Sequence, residues 1–349
     1  MEKVVMNHGA GGEIMQEFIA KHIISHFPKV KFEVPLDSFD DSAVVDDVVF
    51  TADGHTVNPL FFPGGDIGSL SVAGTVNDVS VMGAIPIGLS CSIILEAGLE
   101  VDIVDKILES MGKTAKDCNV PIVTGDTKVV ETGKLDQMLI CTSSIGRRSP
   151  YMDQNLATAS QYRVVDSRWA TDNNVRPGDA IIVSGTVGDH GIALLSFREG
   201  YGFDSEIKSD VAPLNGVIEK GLKVGGIVAM KDPTRGGLAN TLNEWCVKSN
   251  IGMEVNECDI PLNNGVISAC EMLGIDPLNI GNEGKVVIAC VPDMADEIVK
   301  NLRAHSLSRN AAIIGYAVES KTPRVVLKTE IGGRRILEPP TGDPIPRIC

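Results

Sequence analysis

Asp66-Ile67-Gly68-Ser69-Leu70-Ser71-Val72-Ala73-Gly74-Thr75-Val76-Asn77-Asp78-Val79-Ser80-Val81-Met82 decides the fold of this 349-residue chain. Ile67, Leu70, Ala73, Val76, Val79 and Met82 recur every third residue, a spacing that puts them on one face of a helix. A strand-like run at 48–52 precedes this helix, and 86–95 reads as a buried strand after it. Further out, 101–115 is amphipathic, with Val101, Val104, Ile107, Leu108 and Met111 on one side. Strands at 121–130 and 137–145 follow, with the turn signal Thr132-Gly133 between them. This is one α/β unit.

A second unit begins at Ala180-Ile181-Ile182-Val183. It contains helices near 190–199, 237–248 and 295–305, strands at 285–290 and 311–317, and a hairpin over 324–337 around Gly332-Gly333. The expected class is α+β: two α/β-type domains at 1–148 and 179–337, joined by a linker or insertion at 149–178 where the pattern dissolves into polar residues. Residues 338–349 carry four prolines, which forbid a helix and favour a stiff, mobile, extended arm ending in Cys349.

Hydrophobic residues make up 43% and charged residues 22% of the chain, enough for a sizeable core. The net charge of −15 repels phosphate backbones and argues against nucleic acid. No apolar run approaches the ~18 residues of a membrane span. The first residues lack the basic-then-apolar order of a secretory signal. Eight cysteines without a Cys-x-x-Cys pair exclude a zinc ribbon or disulfide framework and point to a reducing compartment, the cytoplasm.

Carboxylates recur where strands and helices meet: Asp40-Asp41-Ser42-Ala43, Ala52-Asp53-Gly54, Asn77-Asp78 and Gly125-Asp126-Thr127. Clustered oxygens suit Mg²⁺, which takes carboxylates together with substrate phosphate. Asn77-Asp78 interrupts an apolar helix face, either as a solvent-side pair or as a metal ligand turned toward a cleft. Three glycine-rich loops, 8–12, 184–191 and 232–237, offer backbone N–H groups to phosphate, and the last adds the cation Arg235. Lys128 and Glu283 read on their own as surface ion-pairing residues.

Together these motifs resemble the ATP-dependent aminoimidazole ribonucleotide synthetase superfamily. Pro59-Leu60-Phe61-Phe62-Pro63-Gly64-Gly65-Asp66-Ile67-Gly68, Gly185-Thr186-Val187-Gly188-Asp189-His190-Gly191, Asn282-Glu283-Gly284-Lys285 and the terminal Pro346-Arg347-Ile348-Cys349 are similar to its hydrogenase maturation branch, the HypE family. Two features depart from that pattern: the insertion at 151–168, and Asp53-Gly54-His55 in place of a more usual hydroxyl or aromatic neighbourhood. The resemblance implies a homodimer with ATP near the interface of the amino-terminal domains. It also implies that the carbamoyltransferase HypF loads Cys349, that ATP-dependent dehydration turns the carbamoyl group into a thiocyanate, and that the cyano group passes to iron on a scaffold complex of HypC and HypD. By the same resemblance Mg²⁺ falls to Asp40 or Asp41, Asp53, Asp78 and Asp126. ATP falls to Gly11, Gly12, Asp66, Asn77, Thr127, Thr234, Arg235 and Gly236, and the base to Glu283 or Lys128. A sister kinase or synthetase would use the same acidic cluster, and a nucleotide-binding scaffold would use the tail only for docking.

Overall fold

The computed structural model describes residues 3–200, 207–342, 345 and 347–349. The first half runs through α1 (Gly12–His22), β1 (Ala43–Val45), β2 (Val48–His55), the short pair β3 (Phe61–Phe62) and β4 (Gly65–Asp66), α2 (Ile67–Val81), β5 (Ala84–Glu96), α3 (Val101–Asp117), β6 (Ile122–Val130) and β7 (Met138–Arg148). Its five-stranded sheet has the order β1-β2-β7-β5-β6. Only β5 and β6 are parallel, joined by the α3 crossover. That leaves β6 as an edge strand.

Asp66 starts α2 by accepting the Ser69 N–H at 2.8 Å while its own N–H bonds the Ser69 hydroxyl, a reciprocal cap. The three-residue spacing understates how deeply α2 sits. Ser71, Thr75, Asn77 and Ser80 are buried along with the apolar face, because α2 lies between the first sheet, α3 and the second half of the molecule.

The second half contains α4 (Met152–Ala159), β8 (Ala180–Val183), α5 (Asp189–Glu199), α6 (Asn215–Val224), β9 (Ile227–Lys231), α7 (Gly237–Ser249), β10 (Gly252–Asn256), α8 (Asn264–Leu273), β11 (Val287–Cys290), α9 (Pro292–Arg303), β12 (Ala312–Val318), β13 (Arg324–Lys328) and β14 (Arg334–Leu337). Its seven-stranded sheet has the order β14-β13-β10-β12-β8-β11-β9. The alternating side chains of β8 divide between two cores: Ile181 and Val183 pack with α7, and Ala180 and Ile182 with α6 and α9.

The polar stretch 149–178 is not a loose connection. It holds α4, buries Trp169 and Asp172, and ties Arg163 to Asp179 at 2.9 Å. Its polar side chains are buried by pairing with groups distant in sequence, which periodicity does not register.

The expected polyproline-like arm falls partly on Asp343, Pro344 and Pro346, which lie outside the described residues. The described part of the tail is docked. Ile345 and Ile348 are buried in the same core as α2 and α5. The Asn58 and Thr56 N–H groups donate to the Arg347 and Cys349 main-chain oxygens at 3.2 and 3.1 Å, and Arg347 reaches Asp136 at 2.6 Å.

Candidate active site

A cleft of about 330 Å³ lies between the two halves. Asp40, Asp41, Asp53 and Asp78 reach it from the first half, and Lys231, Asp232, Thr234, Arg235 and Glu283 from the second. Cys349 lines the same cleft. The C-terminal end of β2 delivers Asp53, and α2 delivers Asp78. Residues 231–236, from the last residue of β9 to the cap of α7, deliver the facing wall.

The carboxylates crowd one another. Burial and then repulsion from Asp53, Asp232 and Asp41 push the Asp78 carboxyl well above the ordinary range, against one hydrogen bond from the Thr51 hydroxyl at 2.8 Å. Burial and Asp53 push Asp232 up to about 6 although Lys231 is adjacent. Glu283 is raised well above its usual value, first by burial and then by Asp232, Asp210 and Asp53. Its Oε1 is buried without a hydrogen-bond partner, as is Nδ1 of His55 at the end of β2. Both side chains approach Gly74 of α2, where a Cβ would lie 3.4 Å from the His55 ring and 3.9 Å from Glu283. Arg235 opposes this negative field, and the charge at Cys349 is the largest influence raising its pKa.

A second ionic cluster borders the cleft. Lys231 pairs with Asp41, with Asp172 at 3.3 Å and with Glu244 at 3.5 Å. Asp172 also binds Lys248 and the Trp245 indole N–H, each at 2.6 Å. The Asp172 N–H donates to Asp40 at 2.9 Å, so Asp40 is tied to the interdomain packing.

Two of the three glycine loops meet at the cleft. Gly11 and Gly12 line it, and a Cβ on Gly11 would come within 3.1 Å of the Arg235 carbonyl oxygen. Gly236 caps α7, whose N-terminus is a natural anion site. The third loop, 184–191, lies elsewhere and carries His190.

Several residues assigned from the sequence are not in the cleft. Asp66 caps α2. Asn77 is a buried clip between the halves, bonding the Ala212 and Glu283 carbonyls and the Leu214 N–H. Asp126, Thr127 and Lys128 sit on exposed β6, where Asp126 and Lys128 pair at 3.2 Å. Conversely, Lys231 and Asp232 line the cleft, although from the sequence Asp232 reads only as the first residue of a glycine loop and Lys231 has no role. The signal for Asp232 was present: an acidic residue directly after an apolar strand and before a Thr-Arg-Gly-Gly turn.

Two α/β halves closing over one acidic cleft define an AIR synthase related protein. The family models for its N-terminal and C-terminal domains match residues 39–147 and 176–328. The full length narrows this further: the chain belongs to the HypE family. It is 48% identical to a protein of Methanocaldococcus jannaschii provisionally named a hydrogenase expression/formation protein, over 99% of this chain and 100% of the relative. It is 41% identical to the carbamoyl dehydratase HypE of Rhizobium leguminosarum, over 99% and 95%. A crystal structure of HypE in complex with ATP superposes with a TM-score of 0.79 at 40% identity, covering 99% of this chain and 100% of that one. A HypE–HypF complex gives 0.82 at 40% identity, covering 94% and 100%.

Proposed function

We propose that this chain is an ATP-dependent carbamoyl dehydratase acting on its own Cys349 in hydrogenase maturation. One observation carries the reading: Cys349 lines the cleft that also contains Glu283, Arg235 and the Asp53–Asp78–Asp232 cluster. Family membership and the ATP and HypF complexes of relatives agree with it.

HypF loads a carbamoyl group onto the Cys349 sulfur. In the cleft, the γ-phosphoryl group of ATP passes to the carbamoyl oxygen, turning a poor leaving group into phosphate. Loss of both N–H protons and cleavage of the C–O bond then leave a thiocyanate, with ADP and phosphate as the other products. Glu283 accepts a proton from the carbamoyl nitrogen: its Oε1 has no competing partner, and its raised pKa brings it toward the working pH of a base. Gly11, Gly12, Thr234, Arg235 and Gly236 hold the phosphates. Closure of the cleft by the tail excludes water that would otherwise compete. The cyano group passes on to a scaffold complex of HypC and HypD.

Mg²⁺ fits the donors. Asp41, Asp53, Asp78 and Asp232 present only hard oxygens, and their mutual repulsion favours a cation. Among the described residues no three His, Cys, Asp or Glu side chains are grouped to hold a metal by themselves, so the remaining donors to Mg²⁺ would be phosphate oxygens and water. Bound there, Mg²⁺ supplies neutralisation of phosphate charge.

The protein works as a homodimer joined through the first sheets. Edge strand β6 exposes Val123 and Val129, and the same sheet exposes Phe50, Ile85 and Ile145. Asp126, Thr127 and Lys128 then serve the cleft of the second subunit. Mixing inactive Asp78→Asn with inactive Lys128→Ala restores about a quarter of the activity if the site is shared; no recovery in confirmed mixed dimers removes that role. Eight cysteines without a Cys-x-x-Cys pair fit a reducing, cytoplasmic setting, and among the described residues no helix is long and apolar enough to cross a membrane.

The direct test is the mass of the C-terminal peptide after incubation with Mg-ATP, carbamoyl phosphate and active HypF. Cys349 gains a carbamoyl group and loses one water only when ATP is present. A carbamoyl group that forms and never dehydrates overturns the reading.

A further inference from the structure

The chemistry above gives no role to His190, to the loop that carries it, or to the Pro59–Gly68 motif. All three meet at the tail. His190 lies in the first turn of α5, fully buried, with Nε2 2.7 Å from the Ile348 carbonyl oxygen and Nδ1 2.8 Å from the Ser209 hydroxyl. The Ser209 oxygen already accepts the Val211 N–H at 3.0 Å, so its own proton is available to Nδ1. That contact selects the tautomer with hydrogen on Nε2, the one able to donate to a carbonyl. Behind it, the Ser209 N–H donates to the Pro63 carbonyl at 2.8 Å, and Phe62 packs edge-on against the imidazole with centroids 5.5 Å apart. The Pro59–Gly68 motif thus walls in the histidine.

The neighbouring residue links this contact to the reacting groups. Asp210 accepts the Glu283 N–H at 3.1 Å and pairs with Lys285 at 2.9 Å. The Ile348 side chain fills a slot left open at Gly281, where a Cβ would lie 2.4 Å from its Cδ1. The Ile348 side chain therefore packs on the segment that carries Glu283, and the histidine that holds its carbonyl leans on Ser209, whose neighbour Asp210 binds the Glu283 N–H. The next residue is Cys349.

We propose that His190 is a positioning residue: it holds the Ile348 carbonyl, so setting the fraction of molecules that carry Cys349 inside the cleft, and Ser209 orients it. The consequence for catalysis rests on the dehydratase reading above, but the docking itself does not.

The test uses the full chain with His190→Phe, which keeps a ring and loses the donor, and His190→Gln, which keeps a donor. Cys349 alkylation by iodoacetamide is followed by C-terminal peptide mass without ATP, and dehydration is followed in a single turnover after loading. His190→Phe raises the alkylation rate and lowers the dehydration rate, the two fold-changes multiplying to roughly three- to tenfold, the scale of one hydrogen bond, with nucleotide affinity unchanged. His190→Gln restores most of both. Alkylation of His190→Phe at the wild-type rate overturns the proposal, and so does a His190→Gln variant as impaired as His190→Phe. Should His190→Phe not fold, Ser209→Ala must shift alkylation in the same direction, and no shift overturns it. A wild-type chain that never dehydrates its carbamoyl group defeats the dehydratase reading and leaves the alkylation order standing.

Discussion

Asp172 and Asp78 are the same residue type beside one cleft, in opposite electrostatic circumstances. Burial pushes the Asp172 carboxyl up, but Lys231 and Lys248 outweigh it and hold the group below the ordinary range. Asp78 has the Thr51 hydroxyl and the more distant charge of Arg235 against burial and three other carboxylates, and is raised well above that range. Within the chain the first charge is fully answered and the second is not. The difference separates an ionic cluster that holds the halves together from one whose excess charge matches the proposed cation and its phosphate ligand.

The sharpest way to break this comparison is to remove each carboxylate. Asp78→Asn lowers single-turnover dehydration by about 100-fold or more, while its melting temperature without ligand stays level or rises. Asp172→Ala leaves Lys248 and Lys231 short of a partner in a buried setting and costs about 3–5 kcal/mol in denaturant unfolding. Equal stability losses for the two would show that both clusters are structural.

A finer probe is pH. With Asp232 at about 6 in the folded chain and near 3.8 when unfolded, the folded state binds the extra proton between those values. Stability without nucleotide or divalent ions therefore falls as pH rises through that window, and the full penalty is present above it. Asp232→Asn removes the penalty, a gain of at most roughly 3 kcal/mol at pH 7.5 that shrinks to well under about 1 kcal/mol near pH 4. Melting curves at the two pH values check this, and a gain of equal size at both would mean that Asp232 is not held in the strained ionised form.

The sequence shows the first of these clusters poorly and the second well, for physical reasons. Helical spacing marks α2, and the carboxylates at strand ends mark the cleft, because both are local patterns. Asp172 and Lys231 are far apart in sequence and matched only in space, so the stretch around Asp172 reads as a polar linker. Asn77 and Asp78 are adjacent in α2, yet one clips the halves and the other faces the cleft. Only the packing around α2 separates them. Spacing is silent, too, on the exposure of Asp126 and Lys128 on edge strand β6, away from the cleft.

The docked tail changes what kind of kinetics the protein can have. A reacting thiol that belongs to the same chain has no bulk concentration and no saturation curve of its own; its supply is an effective molarity set by the tail that carries it. Raising the amount of protein multiplies sites and reacting groups together, so the turnover of each molecule stays constant. Each cleft also processes one group and then stands idle until Cys349 is emptied and reloaded. Flux through such a device is metered by encounters with donor and acceptor, and the cleft acts as a station that every cargo passes once.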